Sequence, residues 1–349
     1  MEYGEFINVV RNQMESNFSV INNGEFGDVK VEIKDVEKLQ DSYTGLSFGR
    51  EGENVQACMD LRPPFEMYQS GMPLDRVFDE IEKNAMAVLR RDAGFDLSFL
   101  QNYETIKPKL MLQVVGVEGN EEMLKGMPHE IHGDLATVCR IELEHIDDST
   151  ASIAVKNEML ERFGVSKEQL FKDALEMGQK THPPVMKTMV EILKEMGMPD
   201  LPAMPGPQIY VATNPQKFMG ASVMQYPEFM QETAEKLNDN IYILPSSVHE
   251  VLFIKAKEAP DLQSLKDMVR EVNDTQVSPK DRLSYQVYFY DKDEKTIKLA
   301  EHAVQKQKEK DLTTPEKKES VLGKLESKKA EAAQHPTVPG KGKGEAVMG

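Results

Sequence analysis

A serine pair, a histidine and a glutamate interrupt an otherwise apolar run at residues 242–254, YILPSSVHEVLFI. Ser246 or Ser247 could act as a nucleophile, with His249 as the base and Glu250 as a second titratable group. In an extended strand, however, Ser247 and His249 point to the same side with Cβ atoms about 6.5 to 7 Å apart. The glycines of a G-x-S-x-G turn are missing as well. We therefore favour serines that cap a turn, with a histidine and a glutamate that satisfy backbone groups, and keep hydrolysis as an alternative.

A second set of residues with chemical potential lies in MPHEIHGD, where His129, His132 and Asp134 could bind a transition metal. Helical zinc sites place two histidines four residues apart on one face, whereas these two are three apart. A proline before the segment and a glycine within it favour a loop. The sequence does not identify the remaining ligands, so loop residues without a metal remain the favoured interpretation.

The sequence predicts no cofactor. The glycine-rich motifs that bind dinucleotides or nucleoside triphosphates, G-x-G-x-x-G and G-x-x-x-x-G-K-[ST], are absent. Cys58 and Cys139 are the only cysteines, which excludes a disulfide framework and a CxxC metal pair. Both are expected to be reduced core thiols.

The elements that must position these residues alternate between helices and strands. Leu74, Val77, Phe78 and Ile81 begin an apolar stripe at helical spacing, and Val29, Val31 and Ile33 alternate as in a half-buried strand. Ser166 fits the cap of a helix that starts near residue 167. Further helices are predicted at residues 6–14, 184–197, 227–237 and 261–272, and further strands in PKLMLQVVGV, GDLATVCRIEL, ASIAV, QIYVAT, IYILP, VHEVLFI and YQVYFYD.

This pattern predicts an α+β fold with mixed or antiparallel sheets and packed amphipathic helices. The segment GMPDLPAMPGP holds four prolines and two glycines, and we place a boundary there. The predicted organisation is an N-terminal α+β region at 1–198 and a C-terminal α+β region at 206–300, which could also form one unit with the first. A disordered charged tail is predicted at 301–349.

Charge limits the classes of partner. The chain has 42 basic and 59 acidic side chains and a net charge of −17. A body this acidic repels the phosphate backbone, so direct binding of nucleic acid is not expected. No secretory signal is evident at the N-terminus, and no uncharged apolar run approaches the roughly 18 to 20 residues that cross a bilayer. We therefore expect a cytoplasmic protein without a membrane partner.

Several short segments carry a family resemblance: GLSF, MYQSGMPL, GDLATV, GASVMQYPEFM and YILPSSVHEVLFI, in this order. Together they resemble an uncharacterised domain-of-unknown-function family of anaerobic Gram-positive gut bacteria, over about residues 1–290. The family has no established activity, so the resemblance implies no catalytic residues. The chain also departs from the family pattern, since Asp60 and Arg62 stand where apolar or acidic residues are expected.

The tail carries a second resemblance. Its segment KKESVLGKLESKK is similar to a module appended to many proteins encoded on conjugative elements, which implies a bacterial mobile element as the setting. Such a segment would fold on a protein partner through Val321, Leu322 and Leu325.

Three hypotheses follow. The first is a non-enzymatic accessory or protein-interaction factor of a mobile element, with an acidic body and a tail that binds a partner. The second is a hydrolase or metal-dependent enzyme that uses His249 and Glu250, or His129, His132 and Asp134. The third is an acidic mimic of nucleic acid. The first is favoured because no catalytic motif is complete.

Overall fold

A computed structural model of the chain shows three antiparallel sheets with helices packed on them, which confirms the predicted α+β class. Every strand pairing in the described part of the chain is antiparallel, for example in the hairpins formed at residues 29–50 and 241–255. The structure describes residues 1–21, 29–50, 57–90, 97–146, 149–198 and 206–313.

The N-terminal sheet has its own hydrophobic core. Phe6, Phe48 and Ile81, which come from a helix, a strand and a second helix, are buried together in this core. The amphipathic stripe predicted near residue 74 forms the long helix, and the predicted alternating strand is present. The elements are α1 (Tyr3–Ile21), β1 (Val29–Lys38), β2 (Asp41–Arg50), β3 (Ala57–Asp60), α2 (Arg62–Gln69) and α3 (Leu74–Arg90), with strand order β1-β2-β3.

The second sheet is built around one long central strand. Its order is β4-β6-β5, and β7 also pairs with β6. Ser166 caps the helix after the sheet, because its side chain accepts a hydrogen bond of 3.2 Å from the backbone N–H of Gln169, as predicted. The elements are α4 (Tyr103–Ile106), β4 (Leu110–Gly116), α5 (Glu121–Lys125), β5 (His129–His132), β6 (Leu135–Ile146), β7 (Ser149–Ala154), α6 (Asn157–Phe163) and α7 (Lys167–Thr181).

The third sheet contains six strands in the order β13-β12-β10-β11-β9-β8. Helices cover one of its faces, and the other face packs toward the second sheet. The elements are β8 (Val185–Thr188), α8 (Met189–Glu195), β9 (Ile209–Thr213), α9 (Pro227–Leu237), β10 (Ile241–Leu244), β11 (Val251–Lys255), α10 (Leu262–Thr275), β12 (Tyr288–Asp291), β13 (Thr296–Leu299) and α11 (Ala300–Thr313).

One core joins the second and third sheets. Leu112 and Val114 of β4 belong to the same buried cluster as Ile243 of β10 and Phe253 of β11. This cluster includes residues from both sides of the proline-rich segment at which we predict a boundary. That boundary remains a prediction, but the side chains on its two sides share buried contacts.

The helix predicted at 184–197 is wrong over its first five residues. Residues 185–188 instead form β8, which pairs with β9. Thr188 then caps α8, since its hydroxyl accepts from the backbone N–H of Glu191 at 3.2 Å while the Glu191 carboxylate accepts from the backbone N–H of Thr188 at 2.7 Å. This reciprocal capping box places the helix start at Met189.

Two further predictions differ from the structure. His249 and Glu250 lie in the connection between β10 and β11, since β11 begins only at Val251. The chain remains helical beyond residue 300, where we predict a loss of order, because α11 extends to Thr313. The rest of the predicted tail, including the segment of Val321, Leu322 and Leu325, lies outside the described residues.

Candidate functional site

The connection between β10 and β11 is held by a second segment, residues 281–284. The backbone N–H of Val248 donates to the carbonyl of Asp281 at 2.8 Å, and Ser247 forms an isolated β-bridge with Arg282. The N–H of Ser284 donates to the carbonyl of Pro245 at 3.2 Å. These backbone groups, which lie beyond the end of β10, are therefore hydrogen-bonded, as buried peptide groups require.

The serines and the histidine of this connection do not form a dyad. Ser246 and Ser247 are buried, and the Ser247 hydroxyl accepts a hydrogen bond of 3.1 Å from the backbone N–H of His249. The imidazole Nε2 of His249 lies 3.6 Å from Oδ1 of Asp281. Glu250 is exposed. The structure thus brings His249 to a carboxylate rather than to either serine hydroxyl.

The two histidines considered as metal ligands lie on β5. His129 Nδ1 is 2.9 Å from the carbonyl of Met127, while His132 Nε2 is 4.0 Å from the carboxylate of Glu130. Residues three apart on a strand point to opposite faces, so the two rings diverge. No group of three or more His, Cys, Asp and Glu side chains with metal-site geometry occurs in the described part of the chain.

Asp134, the third of those candidates, has a different environment. It lies in the turn between β5 and β6, where both of its carboxylate oxygens accept hydrogen bonds from hydroxyl groups. Ser284 donates to Oδ2 at 2.7 Å and Tyr288 donates to Oδ1 at 2.6 Å. The burial of Tyr288 and its hydrogen bond to the carboxylate both raise the pKa of the phenol. Tyr288 therefore remains a protonated donor to Asp134 at neutral pH.

Gly133 makes the approach of Tyr288 possible. Its φ angle is +66°, which L-residues with a side chain rarely adopt. A Cβ atom at this position would lie 2.6 Å from the Tyr288 hydroxyl oxygen. A side chain at position 133 would therefore displace the tyrosine from Asp134.

The segment 281–284 connects the two sets of predicted residues. Its first residue, Asp281, faces His249, and its last, Ser284, donates to Asp134. Ser284 is itself fixed, because its hydroxyl accepts from the backbone N–H of Gln286 at 2.8 Å and its carbonyl accepts from the buried amide of Asn273 at 2.9 Å. The structure therefore leaves His249 and Asp134 at different ends of one segment.

Asp134 borders a cleft of about 740 Å³. Its walls come from the β1–β2 turn, the loop after β4, and residues 279–286. Lys38 and Arg282 are the basic side chains that line it in the described part of the chain. The lining carboxylates outnumber them, and they are Glu37, Asp41, Glu118, Glu121, Glu122 and Asp134. The cleft therefore has a negative electrostatic character.

The turn of the N-terminal hairpin closes one side of this cleft. Leu39 packs against the apolar cluster that contains Val115 and Leu124. The backbone N–H of Gln40 donates to the side-chain oxygen of Asn120 at 2.7 Å. The turn thus docks on the second sheet through one apolar and one polar residue.

A charged network fixes the same turn from the N-terminal side. Arg62 binds both oxygens of Asp41, at 2.7 and 2.8 Å, and its Nε also donates to Asp60 at 3.0 Å. Hydrogen bonding to the guanidinium holds the pKa of Asp41 below its ordinary value. Asp60 and Arg62 therefore stabilise the wall of the cleft.

Sequence reasoning missed most of this cleft. Asp134 was a candidate, but as a metal ligand, whereas Gln40, Ser284 and Tyr288 belong to no motif. Only the short turn around Gln40 and the Gly133–Asp134 pair carry a local signal, that of tight hairpin turns. The residues of the cleft are brought together by contacts between positions as many as 242 residues apart in the sequence.

A third cluster lies elsewhere, at the end of α7. His182 is buried, and its Nε2 lies 3.4 Å from the carboxylate of Glu142 while its Nδ1 lies 2.9 Å from the hydroxyl of Thr181. The Thr181 hydroxyl also lies 3.0 Å from the carbonyl of Met177. This arrangement gives the buried imidazole polar partners at the helix terminus.

One of three comparisons with known proteins gives a match. The model of a family of unknown function, DUF5688, matches residues 3–292. The search of curated proteins gives no match, and neither does the search of solved structures. Among the helices that the structure describes, none combines the length and the apolar character that a membrane span requires. The family match covers the three sheets up to β12 together with the cleft, so the chain belongs to this family of unknown function.

Proposed function

We propose that this chain is a non-enzymatic interaction protein whose cleft binds a positively charged segment of a protein partner. The observation that carries the proposal is the excess of carboxylates over basic groups in a cleft of about 740 Å³. Glu37, Glu118 and Glu121 are exposed there and have no ion-pair partner among the described residues. Free carboxylates of this kind attract a cationic segment and select against an anionic one.

The hydrogen bonding around Asp134 favours binding over catalysis. Both carboxylate oxygens already accept hydroxyl hydrogens, and the Ser284 hydroxyl donates to a carboxylate instead of to an imidazole. A serine nucleophile needs a base that removes its proton. Asp134 instead lines the cleft as an acceptor of hydrogen bonds from two hydroxyl groups.

The tail belongs to the same proposal, although it lies outside the described residues. In this proposal Val321, Leu322 and Leu325 contact a second surface of the partner, and the protein acts in the bacterial cytoplasm as an accessory factor of a mobile element. The support for that setting is the resemblance of the tail segment alone. Two linked contacts would raise the overall affinity above that of the cleft by itself.

The first experiment measures binding to the cleft. The full chain is titrated by isothermal calorimetry with a short capped peptide of alternating alanine and lysine, and with the same peptide carrying norleucine in place of lysine. We expect the lysine peptide alone to bind, with an affinity that falls as salt is added. Equal binding of both peptides, or of neither, would contradict the proposal.

Matched charge variants locate the site. The double variant Glu118→Gln/Glu121→Gln removes two carboxylates from the cleft, and Glu228→Gln/Glu232→Gln removes two exposed carboxylates from α9. We expect weaker binding in the first variant and unchanged binding in the second. Equal losses in both would indicate a nonspecific effect of net charge.

The contribution of the tail is tested by comparing the full chain with residues 1–313. Each form is immobilised and exposed to host lysate treated with nuclease, and bound proteins are identified by mass. We expect a stoichiometric partner that the full chain retains better than the truncated form. Equal retention by both forms would show that the tail does not contribute to partner binding. The proposed binding site in the cleft would be unaffected by that result.

A further inference from the structure

The first strand of the N-terminal sheet has an open edge. β1 is ten residues long and ends the strand order β1-β2-β3, and among the described strands it pairs with β2 alone. The hairpin tip at Gln40 contacts the second sheet. Val31 lies nine residues before Gln40, which is about 30 Å along an extended strand. The edge around Val31 is therefore far from this contact.

The backbone groups on the open edge belong to alternate residues. Lys38 and Asp41 flank a two-residue turn, so they exchange backbone hydrogen bonds with each other. In an antiparallel pair, such positions alternate with positions whose N–H and C=O point away from the partner strand. The register of β1 with β2 runs back from Lys38 without a bulge, so the backbone groups of Val29, Val31 and Ile33 point away from β2. A row of this kind is a template for another strand.

The order of the side chains allows this edge to pair with a second copy of itself. In an antiparallel pair whose two-fold axis passes through Val31, Lys30 lies opposite Glu32 of the second copy. In the same pair Val29 lies opposite Ile33 of the second copy. Opposite charges and β-branched side chains in such positions stabilise an antiparallel pair. The outward backbone groups of Val29, Val31 and Ile33 also meet their counterparts in this register.

Other registers of the same edge are less favourable. An axis through a charged residue would place like charges opposite each other, which destabilises an antiparallel pair. An axis through Ile33 would place Val31 opposite Asp35, and one through Val36 would bring two lysines together. An axis at Val29, the first residue of the strand, would pair only its end. The pattern of charged and apolar residues therefore favours Val31.

We infer that β1 pairs with β1 of a second copy around Val31, which gives a weak homodimer with a continuous six-stranded sheet. Val31 is buried in the N-terminal core, and Val29 and Ile33 pack against it partly buried, so the pairing extends an apolar row across the axis. On the exposed face, Lys30 Nζ lies 2.5 Å from Glu32 Oε1 within one chain, and the second copy brings a further opposite charge to each. This inference is independent of the cleft.

Exchange of the two charges tests the register. Glu32→Lys places lysines opposite each other, Lys30→Glu places glutamates there, and Lys30→Glu/Glu32→Lys restores opposite charges. The full chain is studied by sedimentation equilibrium in about 0.15 M salt, which screens the repulsion between two acidic chains. We expect each single substitution to raise the dissociation constant about tenfold, because two pairs change in every dimer, and the double substitution to return it to within about threefold of the wild type.

A control and a second measurement locate the contact. Glu228→Lys makes the same change of charge on the exposed face of α9 and should leave the dissociation constant unchanged. Hydrogen exchange is followed for each residue by NMR. The amides of Val31 and Ile33 should exchange more slowly as protein concentration rises, because they gain acceptors in the dimer. The amides of Lys30 and Glu32 donate to β2 already, so they should change less.

The results that would overturn the inference are specific. One is a chain that stays monomeric up to about 500 μM, well above the concentration at which a small specific interface associates. Another is a dimer that neither single substitution weakens, since it would use a different surface. A double substitution that fails to restore the dimer, or exchange at Val31 that does not depend on concentration, would also overturn it. None of these results bears on peptide binding in the cleft, so the proposed function is tested separately.

Discussion

The Ser284 hydroxyl donates a hydrogen bond of 2.7 Å to the carboxylate of Asp134, although 150 residues separate the two in sequence. Ser284 belongs to the segment that also holds the β10–β11 connection, and Asp134 belongs to the turn between β5 and β6. This contact therefore adds a polar link between the second and third sheets beside the cleft, in addition to their shared core.

Asp134→Asn should destabilise the fold. The substitution weakens two charge-assisted hydrogen bonds and places an amide N–H₂ where an acceptor is needed. We expect the free energy of unfolding to fall by about 2 kcal/mol, measured by urea denaturation. Asp293→Asn, an exposed aspartate with no side-chain partner in the described residues, should change it by less than about 0.5 kcal/mol. Equal effects of the two substitutions would show that the hydroxyl network contributes nothing.

Tyr288 should make stability depend on alkaline pH. The pKa of its phenol is raised in the folded state by burial and by Asp134. Above the ordinary tyrosine pKa of about 10, the unfolded chain loses this proton while the folded chain keeps it, so stability falls as pH rises. Tyr288→Phe should reduce the slope of unfolding free energy against pH in this range. Other buried tyrosines such as Tyr226, whose pKa is raised to about 12, leave a residual slope.

Tyr226→Phe provides the comparison for that measurement. Its phenol is also buried, but Asp134 is not among the causes of its raised pKa. Each substitution should remove its own share of the slope, and the share of Tyr288 should be the larger because both burial and the carboxylate act on it. An unchanged slope in Tyr288→Phe would contradict the assigned hydrogen bond.

Local patterns predicted some elements well. The apolar stripe of α3 and the cap at Ser166 depend on neighbours within a few residues, so the sequence contains all the information that they need. The contact of Ser284 with Asp134 has no such local signal. Neither does the burial of Tyr288, because both depend on how the sheets pack against each other. The composition of the cleft could therefore not be read from the sequence, although its turns could.

The Thr188 capping box shows an intermediate case. The spacing T-x-x-E at Thr188 and Glu191 is a recognisable helix start, and it lay within a segment interpreted as one continuous helix. The preceding residues Val185–Thr188 form a strand because they pair with the edge of β9. Tertiary pairing decided their conformation.

The ion pair of Arg62 with Asp41 should make the stability of the folded chain fall at acidic pH. The pKa of Asp41 is lowered in the folded state mainly by its hydrogen bonds with Arg62. This stabilisation is present above the ordinary aspartate pKa of about 4 and is lost as pH falls through the lowered folded value. In Arg62→Met we expect a smaller loss of stability between neutral and acidic pH, together with a lower stability at neutral pH.

The matched control for that substitution is Arg76→Met. Arg76 lies on the exposed face of α3 and is 3.6 Å from Asp79, an exposed pair of small energetic value. Its acid dependence should equal that of the wild type. If Arg62→Met has the same acid dependence as Arg76→Met, the ion pair with Asp41 does not stabilise the folded chain.

The shared core of the second and third sheets predicts which fragments fold. Residues 206–300 expressed alone lack Leu112, Val114 and the rest of the second sheet, so the apolar face with Ile243 and Phe253 would be exposed to water. We expect this fragment to lack a cooperative thermal transition, whereas residues 97–313, which retain both sheets, should unfold cooperatively. Circular dichroism during heating distinguishes the two. A cooperative transition in the shorter fragment would instead support a boundary at the proline-rich segment, because that sheet would then be stable without the buried face of its neighbour.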